Sequence, residues 1–165
     1  GAQLEHLSAV IDKLKEIGVK ITKENDHVRV KGNDSYNFCE LTTMPYPGFP
    51  TDLQAQFVAI LSLVPGMNLV TEKVFPDRFM HVAELNRLEA KINVEDGTAE
   101  IQGVEHLSGA NVMATDLRAS AALVLAGLAA KGETIVSRIY HIDRGYEKIE
   151  QKLQKLGADI ERIIG

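Results

Sequence analysis

The chain has 165 residues, of which 45% are hydrophobic and 25% charged, with a net charge of −5; this excludes a disordered chain or a membrane protein and fits one domain with a sizeable core. The negative balance gives no electrostatic footprint for nucleic acid, although a local basic pocket for phosphate groups remains compatible with it. A single cysteine, Cys39, excludes an internal disulfide framework and fits a reducing compartment, so the expected location is cytoplasmic.

Gly1-Ala2 reads as a cut point rather than a natural start, and no charged-then-apolar signal segment follows it. The first expected element is a helix, Gln3 to Ile17, followed by strands Val19 to Thr22 and His27 to Val30. Phe38 to Leu41 reads as a short strand. The Pro-rich loop Met44 to Pro50 leads into a helix from Thr51 to Val64, which Pro65-Gly66 stops. Asn68 to Glu72 is the next strand and Arg78 to Leu88 the next helix. Ala90 to Val94 and Thr98 to Gln102 then form a hairpin through Glu95-Asp96-Gly97. Beyond it, helices are expected at Thr115 to Ala130 and Arg144 to Leu156, with strands at Thr134 to Ile139 and Asp159 to Ile164.

This order contains an internal repeat. Thr51-Asp52-Leu53 returns as Thr115-Asp116-Leu117, 64 residues later, and Asp77-Arg78 returns as Asp143-Arg144, 66 residues later. The expected organisation is a partial repeat over 1–34, a full β-α-β-α-β-β repeat over 35–104, and a repeat over 105–165 that lacks its final strand. The helices at 53–64 and 117–130 are apolar nearly all round, so they must be surrounded by other elements, and both fall short of the roughly 20 apolar residues of a membrane span. The fold class is therefore mixed α/β, with buried helices and sheets outside.

Several residues could carry chemistry. Thr51 with Gln54 fits a capping box that places Asp52 in the positive first turn of a buried helix, and capping is the simplest role for Asp52. The rigid loop ahead of it is also suited to holding a carboxylate as a general base. Arg118, in the first turn of an apolar helix, needs an anionic partner, which is either Asp116 or an anion outside the chain. Arg78 and Arg144 each follow an aspartate at the head of a helix, where a cation opposes the helix dipole, and so they suggest an anion nearby. The five histidines show no metal-ligand spacing, and Cys39 reads as a buried inert thiol. Gly-x-Ser-x-Gly, Walker and dinucleotide glycine patterns are absent from the sequence.

At Pro45 to Gln54, Asp77 to His81, Met113 to Ala119 and Tyr140 to Tyr146 the chain resembles the enolpyruvyl transferases, on the branch that uses a sugar nucleotide. The resemblance covers essentially the whole chain from Leu4 onward. It implies a two-domain fold of βαβαββ repeats with helices inside and sheets outside. It also implies transfer of the enolpyruvyl group of phosphoenolpyruvate to the 3-hydroxyl of UDP-N-acetylglucosamine, the first committed step of peptidoglycan synthesis, with no cofactor, metal, nucleic acid or membrane involved. Asp52 matches the family's aspartate that takes the hydroxyl proton, and Asp116 a catalytic carboxylate near the reacting carbon that assists proton handling. Val74, with Phe75 beside it, matches a contact to the sugar nucleotide. Arg78, Arg118 and Arg144 match arginines around the phosphoenolpyruvate phosphate and carboxylate. The family's loop cysteine has no match in this chain, and Cys39 does not inherit its role. The chain reads as most of one domain, inactive without its second domain. The alternatives are the 5-enolpyruvylshikimate-3-phosphate synthases and a non-catalytic binding domain of the same fold.

Overall fold

The computed structural model describes residues 4–163. Gly1, Ala2, the expected helix start at Gln3, and Ile164 lie outside the described residues. A 3-10 turn, Leu4–Leu7, runs into α1 (Ser8–Glu16), followed by the antiparallel pair β1 (Lys20–Lys23) and β2 (Val28–Lys31). Next come β3 (Glu40–Thr42), a 3-10 turn at Thr51–Leu53 continuing as α2 (Gln54–Leu61), β4 (Met67–Thr71), α3 (His81–Arg87), β5 (Lys91–Glu95) and β6 (Thr98–Gln102). The last part holds β7 (Asn111–Met113), α4 (Leu117–Ala129), β8 (Ile135–Ser137), a 3-10 helix Ile139–Arg144 and α5 (Ile149–Gln154).

The central sheet has the order β3-β4-β6-β5. β3 and β4 are parallel, joined by the crossover that contains α2, and the remaining pairs are antiparallel. β7 and β8 repeat the parallel crossover around α4. The β5–β6 hairpin forms at Asp96 and Gly97, whose φ values of +47° and +71° suit a turn that needs two left-handed residues. Gly97 also accepts the Glu72 backbone N–H through its carbonyl at 2.8 Å, which ties the hairpin tip to the end of β4.

One face of this sheet is apolar and turned inward. Leu41, Val70, Ile92, Ala99 and Ile101 are all buried there, alternating with exposed positions. Between the sheets lie α2 and α4, packed on each other. Every residue of α2 except Ile60 is buried. Leu61, Leu85, Leu88, Leu107 and Leu123 are fully inaccessible, each contributing about 1.5–3 kcal/mol by burial. No helix among the described residues is long and apolar enough to cross a membrane.

Several expected elements differ from the structure: the first helix begins as a 3-10 turn, and the strand expected over Phe38 to Leu41 begins at Glu40. The helix expected from Thr51 begins as a 3-10 turn, and its α-helical part ends at Leu61. The helix expected from Arg78 begins at His81, because residues 75–79 close a tight turn in which Arg78 N–H reaches Phe75 O and Phe79 N–H reaches Asp77 O. The helix expected from Arg144 is interrupted at Lys148, held at φ +46°, so that α5 is short and carries no buried residue. Asp159 to Ile163 forms no strand among the described residues. In the full repeat β5 is hydrogen-bonded only to β6, and among the described residues no counterpart of β6 pairs with Asp159 to Ile163.

Asn68 joins these layers. It is fully buried; its Oδ1 accepts the Cys39 N–H at 2.9 Å, and its Nδ2 donates at 2.9 Å to the carbonyl of Val64, in the turn after α2. Asn68→Ala would leave those groups buried without partners, and unfolding in urea should show a loss of about 1–3 kcal/mol. An unchanged midpoint would mean that the surrounding backbone satisfies itself.

Candidate functional site

The packing of α2 on α4 brings their N-terminal ends together, and with them Asp52 and Arg118, which are 66 residues apart in sequence. Arg118 Nε donates to Asp52 Oδ1 at 2.6 Å, and its Nη2 lies 2.5 Å from the same oxygen. Arg78 Nη1 approaches that oxygen at 3.4 Å and donates to Thr51 Oγ1 at 2.9 Å. Two guanidinium groups therefore share one carboxylate oxygen. Their remaining N–H groups have no hydrogen-bond partner among the described residues and could hold the oxygens of a second anion. The Arg78 guanidinium also sits 4.1 Å from the centre of the Phe75 ring.

Asp52 is 65% exposed, whereas Arg78 and Arg118 are 22% and 32% exposed. Exposed ion pairs of this kind add about 0–1 kcal/mol to stability, so the cluster does little to hold the fold together. The expected capping box is not formed. Pro50, in extended backbone, precedes the helix start without a side-chain cap, Thr51 bonds elsewhere, and both polar side-chain atoms of Gln54 are buried without partners.

Asp116 behaves in the opposite way. Its Oδ1 accepts the backbone N–H groups of Arg118 at 2.7 Å and Ala119 at 3.1 Å, capping α4. It is therefore not the side-chain partner of Arg118, which reaches across to Asp52 instead. Arg144 is not at a helix head: it ends the 3-10 helix Ile139–Arg144, is exposed, and makes no ion pair among the described residues. The following Gly145 lies so close to Leu117 that an added Cβ would stand 2.9 Å from the Leu117 side chain, which brings Arg144 near the start of α4. Nor does Arg78 head a helix, since α3 starts three residues later. Asp143 binds Arg162 through two hydrogen bonds, at 2.9 and 2.7 Å.

The residue that sequence reasoning missed is Glu72, only 2% exposed. Its Oε1 accepts from Thr43 Oγ1 at 2.6 Å and from the backbone N–H groups of Val74 at 2.8 Å and Phe75 at 2.9 Å. Oε2 accepts from Thr51 Oγ1 at 2.9 Å. Burial alone would raise the pKa of this carboxyl, but the four hydrogen bonds together outweigh it and leave the value below the ordinary 4.5. One signal was present in the sequence: Asn68, Val70 and Glu72 alternate on one face of their strand, and a carboxylate in phase with a core valine needs partners.

Two buried groups outside this cluster also titrate away from their ordinary values. Burial pushes the Cys39 thiol up to about 11, in keeping with an inert cysteine. Burial holds His81 down to about 4 against the opposing pull of the Asp116 charge, and its Nε2 has no hydrogen-bond partner. Because the unfolded chain takes up the His81 proton first, stability should fall as pH drops from about 6.5 towards 4. The depressed carboxyl of Glu72 contributes stability that is present above 4.5 and lost as pH falls through its folded value. Urea midpoints measured from neutral to acid pH should therefore decline in two stages, with His81→Leu flattening the upper stage and Glu72→Gln the lower. A His81→Leu profile parallel to the unaltered one would remove the buried neutral imidazole as the cause.

The chain is also similar in sequence and fold to known proteins. A profile of the family described as EPSP synthase (3-phosphoshikimate 1-carboxyvinyltransferase) matches residues 1–153. A protein of Gluconacetobacter diazotrophicus named UDP-N-acetylglucosamine 1-carboxyvinyltransferase is 57% identical over 99% of the chain, and one of the same name from Geotalea daltonii is 56% identical over 98%. The chain spans about 39% of the length of these curated relatives. Among solved structures, the enolpyruvyl transferase NikO from Streptomyces tendae superposes with a TM-score of 0.87 at 31% identity, covering 96% of this chain and 37% of that one. An EPSP synthase from Acinetobacter baumannii shares the fold, with a TM-score of 0.66 at 20% identity over 94% of this chain and 37% of its own. The chain thus belongs to the EPSP synthase family of carboxyvinyl transferases, the enolpyruvyl transferases.

Proposed function

We propose that this chain supplies one domain of a cytoplasmic, two-domain UDP-N-acetylglucosamine 1-carboxyvinyltransferase, and that the Asp52–Arg78–Arg118 cluster is its contribution to the active site. The observation that carries this reading is the convergence of two arginines from separate elements on one exposed carboxylate oxygen. The names of relatives at 53–57% identity favour the sugar nucleotide over shikimate 3-phosphate as acceptor.

In this reading Arg78 and Arg118 turn their unspent donors to the phosphate and carboxylate of phosphoenolpyruvate, with Arg144 joining them from the end of the 3-10 helix Ile139–Arg144. Asp52, relieved of part of its pairing by the competing anion, accepts the proton of the sugar 3-hydroxyl. The hydroxyl oxygen bonds to C2 of phosphoenolpyruvate while C3 gains a proton from an acid of the second domain, giving a tetrahedral intermediate whose charge the arginines stabilise. Loss of phosphate from C2 and of a proton from C3 restores the double bond and gives the enol ether. Val74 and Phe75 lie beside the sugar nucleotide, and Asp116 fixes the start of α4 so that Arg118 points at the reacting group. The residues missing from this set come from the second domain, so the isolated chain is expected to turn over neither substrate.

In the complete enzyme, Asp52→Asn should lower turnover by about 10²–10⁴-fold, the range of a lost general base, while phosphate release is followed with both substrates. The melting temperature should stay within about 2 °C, because an exposed ion pair carries little stability. Intact turnover per folded molecule would remove Asp52 from the chemistry.

A further inference from the structure

We propose that Glu72 is a positioning residue for the transferase site: through the Thr51 hydroxyl it sets the guanidinium of Arg78, and through two backbone N–H groups it sets the Val74–Phe75 segment. The proposal rests on the transferase reading above and adds to it a residue that touches neither substrate.

The argument begins with proton counting. A threonine hydroxyl has one proton to donate and lone pairs to accept with. Thr51 Oγ1 lies 2.9 Å from the Glu72 carboxylate, which can only accept, so its proton is committed there. Its lone pairs then face Arg78 Nη1, also at 2.9 Å, and that guanidinium can only donate. Each bond in the series Glu72, Thr51, Arg78 therefore has one permitted direction, and the carboxylate dictates it. Thr43 is arranged in the same way, donating to Glu72 Oε1 and accepting the Lys73 N–H at 2.9 Å.

The same carboxylate shapes the loop after β4. Val74 and Phe75 both point their N–H groups at Oε1, which curls the chain so that the Phe75 ring lies 4.1 Å from Arg78. Arg78 is thus fixed from two sides, by Thr51 and by Phe75, and both supports lead back to Glu72. A buried charge is costly unless fully hydrogen-bonded. Here three of the four bonds come from Thr51, Val74 and Phe75, in or next to the site, and the fourth from Thr43, buried just after β3.

A neutral amide at position 72 would reverse the polarity. The Nε2 of Gln can donate to Thr51 Oγ1, which turns the threonine proton towards Arg78, where it meets another donor. Thr51→Val removes the relay while keeping Glu72 and the shape of the side chain, and Thr51→Ser restores the hydroxyl.

The test compares the unaltered complete enzyme with Glu72→Gln, Thr51→Val and Thr51→Ser, by phosphate release with phosphoenolpyruvate and UDP-N-acetylglucosamine each varied. Glu72→Gln and Thr51→Val should raise the KM for phosphoenolpyruvate by about 10-fold or more, as expected for a lost charge-assisted contact. Thr51→Ser should stay within about 3-fold of the unaltered enzyme. If Glu72→Gln does not fold, Thr51→Val decides alone. A folded Thr51→Val enzyme with unchanged KM and kcat overturns the proposal, as does a Glu72→Gln enzyme whose only defect is a smaller folded fraction. Failure of the unaltered enzyme to release phosphate overturns the transferase reading instead, and this proposal falls with it.

Discussion

The constraint on which the molecule depends is that α2 and α4 are apolar on nearly every side. Helices of this kind favour burial, so the sheets form outside them and each helix takes the other as a neighbour, although the C-terminal half of α4 still exposes Leu125 and Leu128. Once α2 and α4 are packed together, the positions of their first residues are no longer independent. Asp52 and Arg118 meet because the core requires it, and neither has to contribute stability in return. The site therefore rests on a rigid support while its charged groups remain exposed enough to exchange partners.

The two copies of Thr-Asp-Leu show how one motif can serve two ends. In the second copy Asp116 caps its helix, and the Thr115 hydroxyl has no better partner than Asp116 Oδ2, at 3.4 Å. In the first copy a carboxylate follows the neighbouring strand, Thr51 bonds to it, and Asp52 is left facing solvent and two arginines. The residue immediately after β8, in the place that Glu72 occupies after β4, is Arg138, whose backbone lies at φ +57°. One acid-to-base exchange at the end of a strand thus accompanies the change from a capping aspartate to one that faces solvent and two arginines.

Much of the architecture could be read from the sequence, because it depends on patterns that only one structure satisfies. Asp96-Gly97 dictates a tight hairpin, and the alternation of Ala99 and Ile101 with polar neighbours fixes which face of β6 turns inward. The all-round apolar character of α2 and α4 pointed to their burial, which is nearly complete for α2, whereas α4 exposes Leu125 and Leu128 towards its end. What could not be read depends on competition between partners. Thr51 and Gln54 have the spacing of a capping box, but a carboxylate 21 residues away outbids the local backbone for the Thr51 hydroxyl. Arg78 and Arg144 occupy equivalent places in the repeat, yet a tight turn aims the first at Asp52, while the second ends a 3-10 helix and faces solvent. The strand expected from Asp159 had the right composition, but among the described residues it has no neighbour to pair with.

The hairpin tip has a role that its position outside the sheet conceals. The carbonyl of Gly97 receives the N–H of Glu72, so the backbone that carries the buried carboxylate is anchored to the turn between β5 and β6. Both residues of that turn are left-handed, a geometry that most side chains would distort. A change at this solvent-facing corner would pass along one hydrogen bond to the residue that orients Thr51, Phe75 and Arg78. The tightness of an ordinary-looking surface turn is thereby coupled to the alignment of charges across the sheet from it.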